Sequence, residues 1–178
     1  MNWPDLTARI HEAADEAFSL LAQRHLDEDF YVFALYTDSS AMTALASANS
    51  TQALDRIIRA AGSLSESSRR ARAWYNPEWG YPSLKGEKFS VISKIMRDDP
   101  DRSIDFSEFE KKCHRSMIEA LRRMDSEGRF GVGDKRATMT IFITISDDDR
   151  AYRLENSSAR MLNPPVVCER FLNRYGPA

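Results

Sequence analysis

Histidines and acids near the start of the chain have residue types that can bind a metal ion. His11 and Glu12 match the first two residues of the zinc-binding helix motif His-Glu-x-x-His. Asp15, however, stands where the second histidine would share the metal. The other two histidines, His25 and His114, lie in unrelated segments. A solvated helix surface is the better interpretation of this stretch, and we expect no metal site.

A glycine-rich segment, residues 128–135, has the composition of a phosphate-binding loop. It contains Gly128, Gly131 and Gly133 and ends in Asp134-Lys135. It follows a predicted helix and precedes a predicted strand, which is the reverse of the order that such loops require, and it lacks the Gly-Lys-Ser/Thr ending. We therefore predict a helix-to-strand turn.

Three consecutive carboxylates, Asp147, Asp148 and Asp149, follow another predicted strand. Hard cations prefer clustered carboxylates, but the spaced acids and the central glycine of a calcium loop are missing here. Anionic side chains also stabilise the positive end of a helix dipole, so a helix start is the better interpretation. The same acids are candidate contacts for a basic partner.

No nucleophile is paired with a base in a recognisable pattern. Cys113 and His114 are adjacent on a predicted helix, where neighbours point about 100° apart. The sequence contains no Gly-x-Ser-x-Gly elbow. We predict no catalytic residue, while a site assembled from distant segments stays open as an alternative.

The segment 74–81, which we call the aromatic block, is the strongest candidate for a contact surface. Its four large aromatic side chains are interrupted by Asn-Pro and by glycine, so we predict an extended or turning segment. Its rings either fill the core and fold over a sheet edge, or bind a partner, because Trp and Tyr are enriched at interface hot spots. The predicted binding residues are Trp74, Tyr75, Glu78, Trp79 and Tyr81, with Asp147, Asp148 and Asp149 as electrostatic helpers.

Hydrophobic periodicity predicts the element order α-β-β-α-β-α-α-β-α-α. The predicted strands are 30–37, 42–48, a segment containing Trp74 and Tyr75, and 138–145. The order is not a strict βαβ alternation, and the first two strands form a hairpin. We therefore predict one α+β domain over residues 1–178, with the N-terminal helix first and further helices packed on an antiparallel sheet of about four strands.

The bulk composition is that of a soluble globular protein. Apolar residues make up 42% of the chain and charged residues 29%, and the net charge of −2 creates no strong field that would recruit nucleic acid. No secretory signal and no apolar run of about 20 residues is present. We expect a cytoplasmic protein that binds neither nucleic acid nor membrane and carries no cofactor.

Several pieces of the chain together resemble a bacterial single-domain family of unknown function. The most specific pieces are Asn-Pro-Glu-Trp at 76–79 and Leu-Asn-Pro-Pro at 162–165, supported by 30–38, 41–42 and 145–147. Because members have roughly this size, the resemblance implies a match to nearly the whole chain, and it implies no catalytic residue. Small α+β proteins of this kind resemble immunity proteins encoded beside polymorphic bacterial toxins, including those of the SUKH group.

The leading hypothesis is therefore an immunity-type protein that neutralises a cognate bacterial toxin by direct contact. The alternative is a small-molecule binder or an enzyme whose site is assembled from distant residues. A third interpretation is a homo-oligomer that associates through the aromatic block, and the sequence leaves the oligomeric state open.

Overall fold

A four-stranded sheet lies between two layers of helices in the computed structural model, which describes residues 1–84 and 86–176. The strands are β1 (Phe30–Asp38), β2 (Leu45–Ser50), β3 (Tyr81–Leu84) and β4 (Thr140–Ser146). The helices of the described residues are α1 (Trp3–Arg24), α2 (Thr51–Ala61), α3 (Glu66–Trp74), α4 (Glu87–Asp98), α5 (Asp101–Ile104), α6 (Phe106–Ser126), α7 (Ala151–Leu162) and α8 (Pro165–Leu172). The fold is α+β and begins with a helix.

The sheet is mixed, so the predicted antiparallel sheet is wrong. Its strand order is β3-β2-β1-β4, in which β2 pairs antiparallel with β1 and β3, whereas β1 and β4 run parallel from Val32↔Thr140 to Asp38↔Ser146. The alternation of apolar residues marks a strand without fixing its direction. Direction depends on where the helices between β3 and β4 return the chain, and periodicity does not contain that information.

The strand predicted around Trp74 and Tyr75 is also wrong, because Trp74 ends helix α3. Ser65 caps this helix, since its hydroxyl accepts a hydrogen bond from the Ser68 backbone N–H at 3.2 Å. The third strand begins later, at Tyr81, after a single 3-10 turn over Asn76–Glu78. In the sequence, Ser65 as a possible N-cap indicated a helix, whereas the aromatic residues favoured the prediction of a strand.

The start of α2 is shifted by one residue from its prediction. The sequence predicts Asn49 as its N-cap, whereas Ser50 occupies that position and its hydroxyl accepts from the Ala53 N–H at 3.0 Å. Asn49 is fully buried at the end of β2. Its side-chain amide instead forms hydrogen bonds with Tyr31 and Gly80.

The larger core lies on the sheet face that α1, α4 and α6 cover. Phe33 and Leu35 of β1 and Ile141 and Ile143 of β4 point into it, which confirms the apolar face expected for the fourth strand. The opposite face carries a smaller cluster in which Phe142 packs with residues of α7, α8 and the aromatic block. No helix of the described residues has the length and apolarity that crossing a bilayer requires.

The free edge of β4 is closed by side chains instead of another strand. The Ile141 N–H donates to Asn163 Oδ1 at 2.9 Å, and Asn163 Nδ2 donates to the Ile141 carbonyl at 2.6 Å. The Ile143 N–H donates to the Ser158 hydroxyl at 3.1 Å. The Leu-Asn-Pro-Pro segment therefore has a structural role, because it protects an edge that would otherwise pair with another chain.

Candidate functional site

The aromatic block contributes mainly to the smaller core cluster. Trp79 is 3% exposed and packs edge-on against Phe142, with ring centroids 6.1 Å apart. Trp74 is half-buried and packs edge-on against Tyr31 and Phe171 at 5.7 and 5.3 Å. These two indoles therefore hold the helical layer against the sheet.

Tyr75 and Glu78 are the accessible members of the block. Tyr75 is 53% exposed, and the Glu78 carboxylate lies 3.5 Å from the Arg72 guanidinium at the surface. Tyr81 is half-buried, and its hydroxyl enters a polar cluster with Glu28. The binding role of the block stays a prediction, and Tyr75 and Glu78 are the positions where a partner reaches it most easily.

A buried hydrogen-bond network fixes the path of the block. The Gly80 N–H donates to Asn49 Oδ1 at 3.1 Å, Asn49 Nδ2 donates to the Tyr31 hydroxyl at 2.9 Å, and that hydroxyl donates to the Ala73 carbonyl at 2.8 Å. Burial raises the pKa of Tyr31, so the phenol stays a donor at neutral pH. A Cβ on Gly80 would lie 2.4 Å from the Ala53 Cβ, which explains the glycine.

The predicted acidic helpers directly follow the C-terminal end of β4. Asp148 accepts from the Arg150 backbone and guanidinium, and these hydrogen bonds hold the pKa of Asp148 below its ordinary value. The same guanidinium contacts both oxygens of Glu110 at 2.9 and 3.0 Å. The charge of Asp148 is thus neutralised within the molecule, while Asp147 and Asp149 are exposed.

A groove of about 690 Å³ lies between the α1–β1 connection and the loop that precedes β4. Its apolar floor is formed by Phe18, Phe30, Phe130 and Met139, and we call it the Phe30 groove. The rings of Phe18 and Phe130 are 5.3 Å apart and those of Phe18 and Phe30 are 6.1 Å apart. Its volume lies in the range of ligand pockets, which is about 300–1,000 Å³.

Large apolar side chains stand in water beside this groove. Leu26, which lines it, is 88% exposed. Val132 is 77% exposed, and its Cγ1 lies close to Gly128, another lining residue. Single exposed apolar residues are common, but here one lines an apolar groove and another adjoins its glycine-rich wall, where a partner can bury them.

The glycine-rich segment forms one wall of the groove and joins α6 to β4, as predicted. Gly131 has a φ of +92°, a left-handed conformation that favours glycine, and its N–H donates to the Gly128 carbonyl at 3.0 Å. The buried Arg136 fastens the end of the loop by donating to the Met139 and Leu162 carbonyls. The wall is therefore fastened to the last residue of α7 and to the residue that precedes β4.

One end of the groove is built around the carboxylate of Glu28, whose side chain is 3% exposed. It accepts hydrogen bonds from the Ser50 hydroxyl, from Arg56 at 2.7 Å and from the Tyr81 hydroxyl at 2.8 Å. Burial by itself would raise the pKa of Glu28, but the hydrogen bonds from Ser50, Arg56 and Tyr81 outweigh it and lower the pKa. Glu28 is therefore ionised at neutral pH.

The ionised Glu28 determines the tautomer of His25. The Tyr81 hydroxyl has one hydrogen atom and donates it in the hydrogen bond to Glu28. His25 Nδ1 lies 3.0 Å from the same hydroxyl oxygen and must therefore be the donor in the hydrogen bond between them. Burial and the hydrogen bond to Glu28 raise the pKa of Tyr81 to about 12, so the phenol keeps its proton. His25 lines the groove, and its Nε2, on the other edge of the ring, is left as a hydrogen-bond acceptor.

The sequence did not reveal this site, although Tyr81 belongs to both the predicted block and the observed cluster. Its walls come from residues 18–30 and 128–139, which are about a hundred positions apart in the chain. The acidic turn before β1 was a weak signal for a polar end. Nothing in the spacing of residues joined that turn to the glycine-rich segment.

Comparison with known proteins identifies a family. The family model described as "Domain of unknown function (DUF4303)" matches residues 10–164, and the chain belongs to this family. The expected membership of a family of unknown function is thereby confirmed. No curated protein and no solved structure matches the chain. Both walls of the Phe30 groove lie inside the matched region.

Proposed function

We propose that this chain is an immunity-type binding protein that neutralises a cognate bacterial toxin by direct contact, and that the Phe30 groove is its contact surface. The observation that carries this proposal is the pair of exposed side chains, Leu26 and Val132, beside an apolar groove. Burying apolar surface is the main favourable term in protein association. Contact with a partner removes these side chains from water at no cost to the fold.

The groove has the composition of an interface centre with a polar rim. Its floor is aromatic and aliphatic, while Asp29, Asp134 and Lys135 lie at its margins. Binding energy at interfaces concentrates in such partly enclosed apolar centres, and the surrounding polar residues exclude water. Of the predicted contact residues, Tyr81 packs against a residue that lines the groove, since its ring lies 5.7 Å from that of Phe30.

The test uses the protein encoded next to this gene as the candidate toxin. Cells that express it are protected by the wild-type chain, and Leu26→Asp with Val132→Asp abolishes protection while the variant stays folded. Ile104→Asp is the matched control, because Ile104 is 81% exposed and lies near Trp3, at the other end of α1, about 33 Å away. Loss of protection in the control, or full protection by the double variant, contradicts the groove as the contact surface.

A small-molecule binder or an enzyme is the second candidate function, and the His25 cluster favours it. An imidazole with a fixed tautomer, held by Tyr81 and a buried Glu28, has the arrangement of an oriented proton acceptor beside a groove. Its test is thermal unfolding against a metabolite library. Stabilisation of the wild type by one compound, absent in His25→Ala and without complex formation with the neighbouring protein, would favour this candidate.

A further inference from the structure

The Phe30 groove has a polar end of defined chemistry, and that end selects what enters it. We infer that the groove receives a lysine or arginine side chain of the partner protein together with an adjacent apolar side chain, the cation lying beside His25 and Asp29. This inference rests on the proposed function, because it names the part of the partner that the groove recognises. Three features of the described residues support a cationic occupant.

The first feature is a set of free acceptors at the His25 end. In the neutral imidazole of His25, Nε2 has a lone pair, because the hydrogen bond with Tyr81 places the proton on Nδ1. Asp29 is exposed, accepts a hydrogen bond from Gln52 Nε2 at 3.1 Å, and has no lysine or arginine within ion-pair distance among residues 1–84 and 86–176. The charge of Glu28 is matched by Arg56, so Asp29 supplies the net negative charge of this end.

The second feature is the aromatic ring of Phe30, which lines the groove and packs against Tyr81. The Tyr81 ring lies 4.8 Å from that of His25 and 5.7 Å from that of Phe30. Cations are attracted to the faces of such rings, and the long apolar stems of lysine and arginine pack on them. One side chain can therefore place its stem on Phe30 and its charge at Asp29.

The third feature is the state of the basic residues along the groove. Arg129 Nε lies 2.9 Å from Asp15 Oδ1 in an ion pair whose angle is too bent for a hydrogen bond. Lys135 and Asp134 both line the groove and contribute one charge of each sign, so together they add no net charge to it. An anionic occupant would compete for Arg129 with Asp15, whereas a cation meets at Asp29 no competing lysine or arginine from the part of the chain that the structure describes.

The experiment compares three capped peptides of one size that differ in the central charge: acetyl-Leu-Lys-Leu-amide, acetyl-Leu-Gln-Leu-amide and acetyl-Leu-Glu-Leu-amide. Each is titrated into the full chain, and methyl resonances of Leu26, Val132 and Met139 are followed by NMR. We expect the lysine peptide to bind at least about fivefold more tightly than the glutamate peptide, as partly exposed charge pairs allow. The shifts are expected to map to the groove.

Two variants with the same change of charge separate the site from the overall charge. Asp29→Asn is expected to reduce the preference for lysine to less than about twofold. Asp98→Asn removes an exposed carboxylate at the end of α4, beside Asp99, which pairs with the Met1 amino group at the far end of α1, and is expected to leave the preference unchanged. An equal effect of both substitutions would overturn the inference, since the preference would then reflect net charge.

Other outcomes overturn the inference in different ways. Equal or tighter binding of the glutamate peptide rules out a cation site, and shifts confined to residues outside the groove rule out this location. Tight binding of phenethylamine, with none of the lysine peptide, indicates a site for small free amines instead of a partner's side chain. Failure of the proposed function is distinguishable from these outcomes. In that case the wild-type chain does not protect cells against the neighbouring protein, although it still prefers the lysine peptide.

Discussion

Glu28 is the residue on which the candidate site depends. Its carboxylate joins three elements, since it accepts hydrogen bonds from Ser50 at the end of β2, from Arg56 of α2 and from Tyr81 of β3. A buried carboxylate of this kind is stable only when its oxygens are satisfied. Both the shape of the groove end and the orientation of His25 follow from it.

Glu28→Gln tests this role through the dependence of stability on pH. Because the pKa of Glu28 is lowered in the folded state, its contribution is present above the unfolded value of about 4.3 and is lost as the pH falls through the folded pKa. We expect the free energy of unfolding at pH 7 to fall by about 1–3 kcal/mol. We also expect a shallower decline below pH of about 5, measured by urea denaturation. Identical slopes for the variant and the wild type would contradict the account of Glu28.

Tyr81→Phe tests the tautomer of His25 without any ligand. Nitrogen chemical shifts of the neutral imidazole should show the Nδ1–H form in the wild type. In the variant the hydroxyl that accepts that proton is gone and the Glu28 carboxylate lies 3.6 Å from Nδ1, beyond hydrogen-bond distance, so a larger share of the Nε2–H form is expected. Tyr75→Phe is the control, because this exposed hydroxyl is remote from His25 in the hydrogen-bond network. An unchanged tautomer in Tyr81→Phe would show that Tyr81 does not orient the ring.

Helices and strands differ in how far the sequence reveals them. The apolar alternation of residues 138–145 located β4, and the stripe of α6 located that helix, because each periodicity follows from one face being buried. The parallel pairing of β4 was missed, since it depends on the chain path between distant elements. The end of α3 was missed because Trp74 and Tyr75 favour strands by residue type, while the Ser65 cap decided otherwise.

Asn163→Ala tests how the edge of β4 is held. The substitution removes both hydrogen bonds to Ile141 and leaves a partly buried N–H and carbonyl unsatisfied, at a cost of about 2–4 kcal/mol. Equilibrium unfolding measures the cost, and faster amide exchange at Ile141 locates it. Asn173→Ala, an exposed position after α8, is the control and should change stability by less than about 0.5 kcal/mol. A similar loss in both variants would argue against a specific edge contact.

The groove shows why the site as a whole could not be predicted. Leu26 and Val132 are ordinary residues in separate polar segments, and only the folded chain places Leu26 in the groove and Val132 beside Gly128 of its wall. The aromatic block misled the prediction for the opposite reason: its residues are concentrated in sequence, yet Trp79 is used inside the molecule. The sequence contains no recognisable catalytic or metal-binding motif, so motifs gave no guide to the site. Locating a contact surface required the arrangement of distant segments in the folded chain.

The distance between the groove and the predicted acids adds a constraint on any partner. The acids follow Ser146, while Thr138 and Met139 of the groove precede β4, so the strand separates them by about 20 Å. A partner centred on the groove therefore reaches Asp147 and Asp149 only if its interface is of standard size or larger. A compact interface leaves those acids in solvent.

Hydrogen exchange of the chain, alone and in complex with the protein encoded beside it, tests the central claim most directly. Slower exchange on binding is expected in residues 24–30 and 128–139, with no change around Ile104. Slower exchange confined to residues 74–78, where Tyr75 and Glu78 are exposed, would contradict the groove as the contact surface. It would place the interface on the accessible part of the aromatic block.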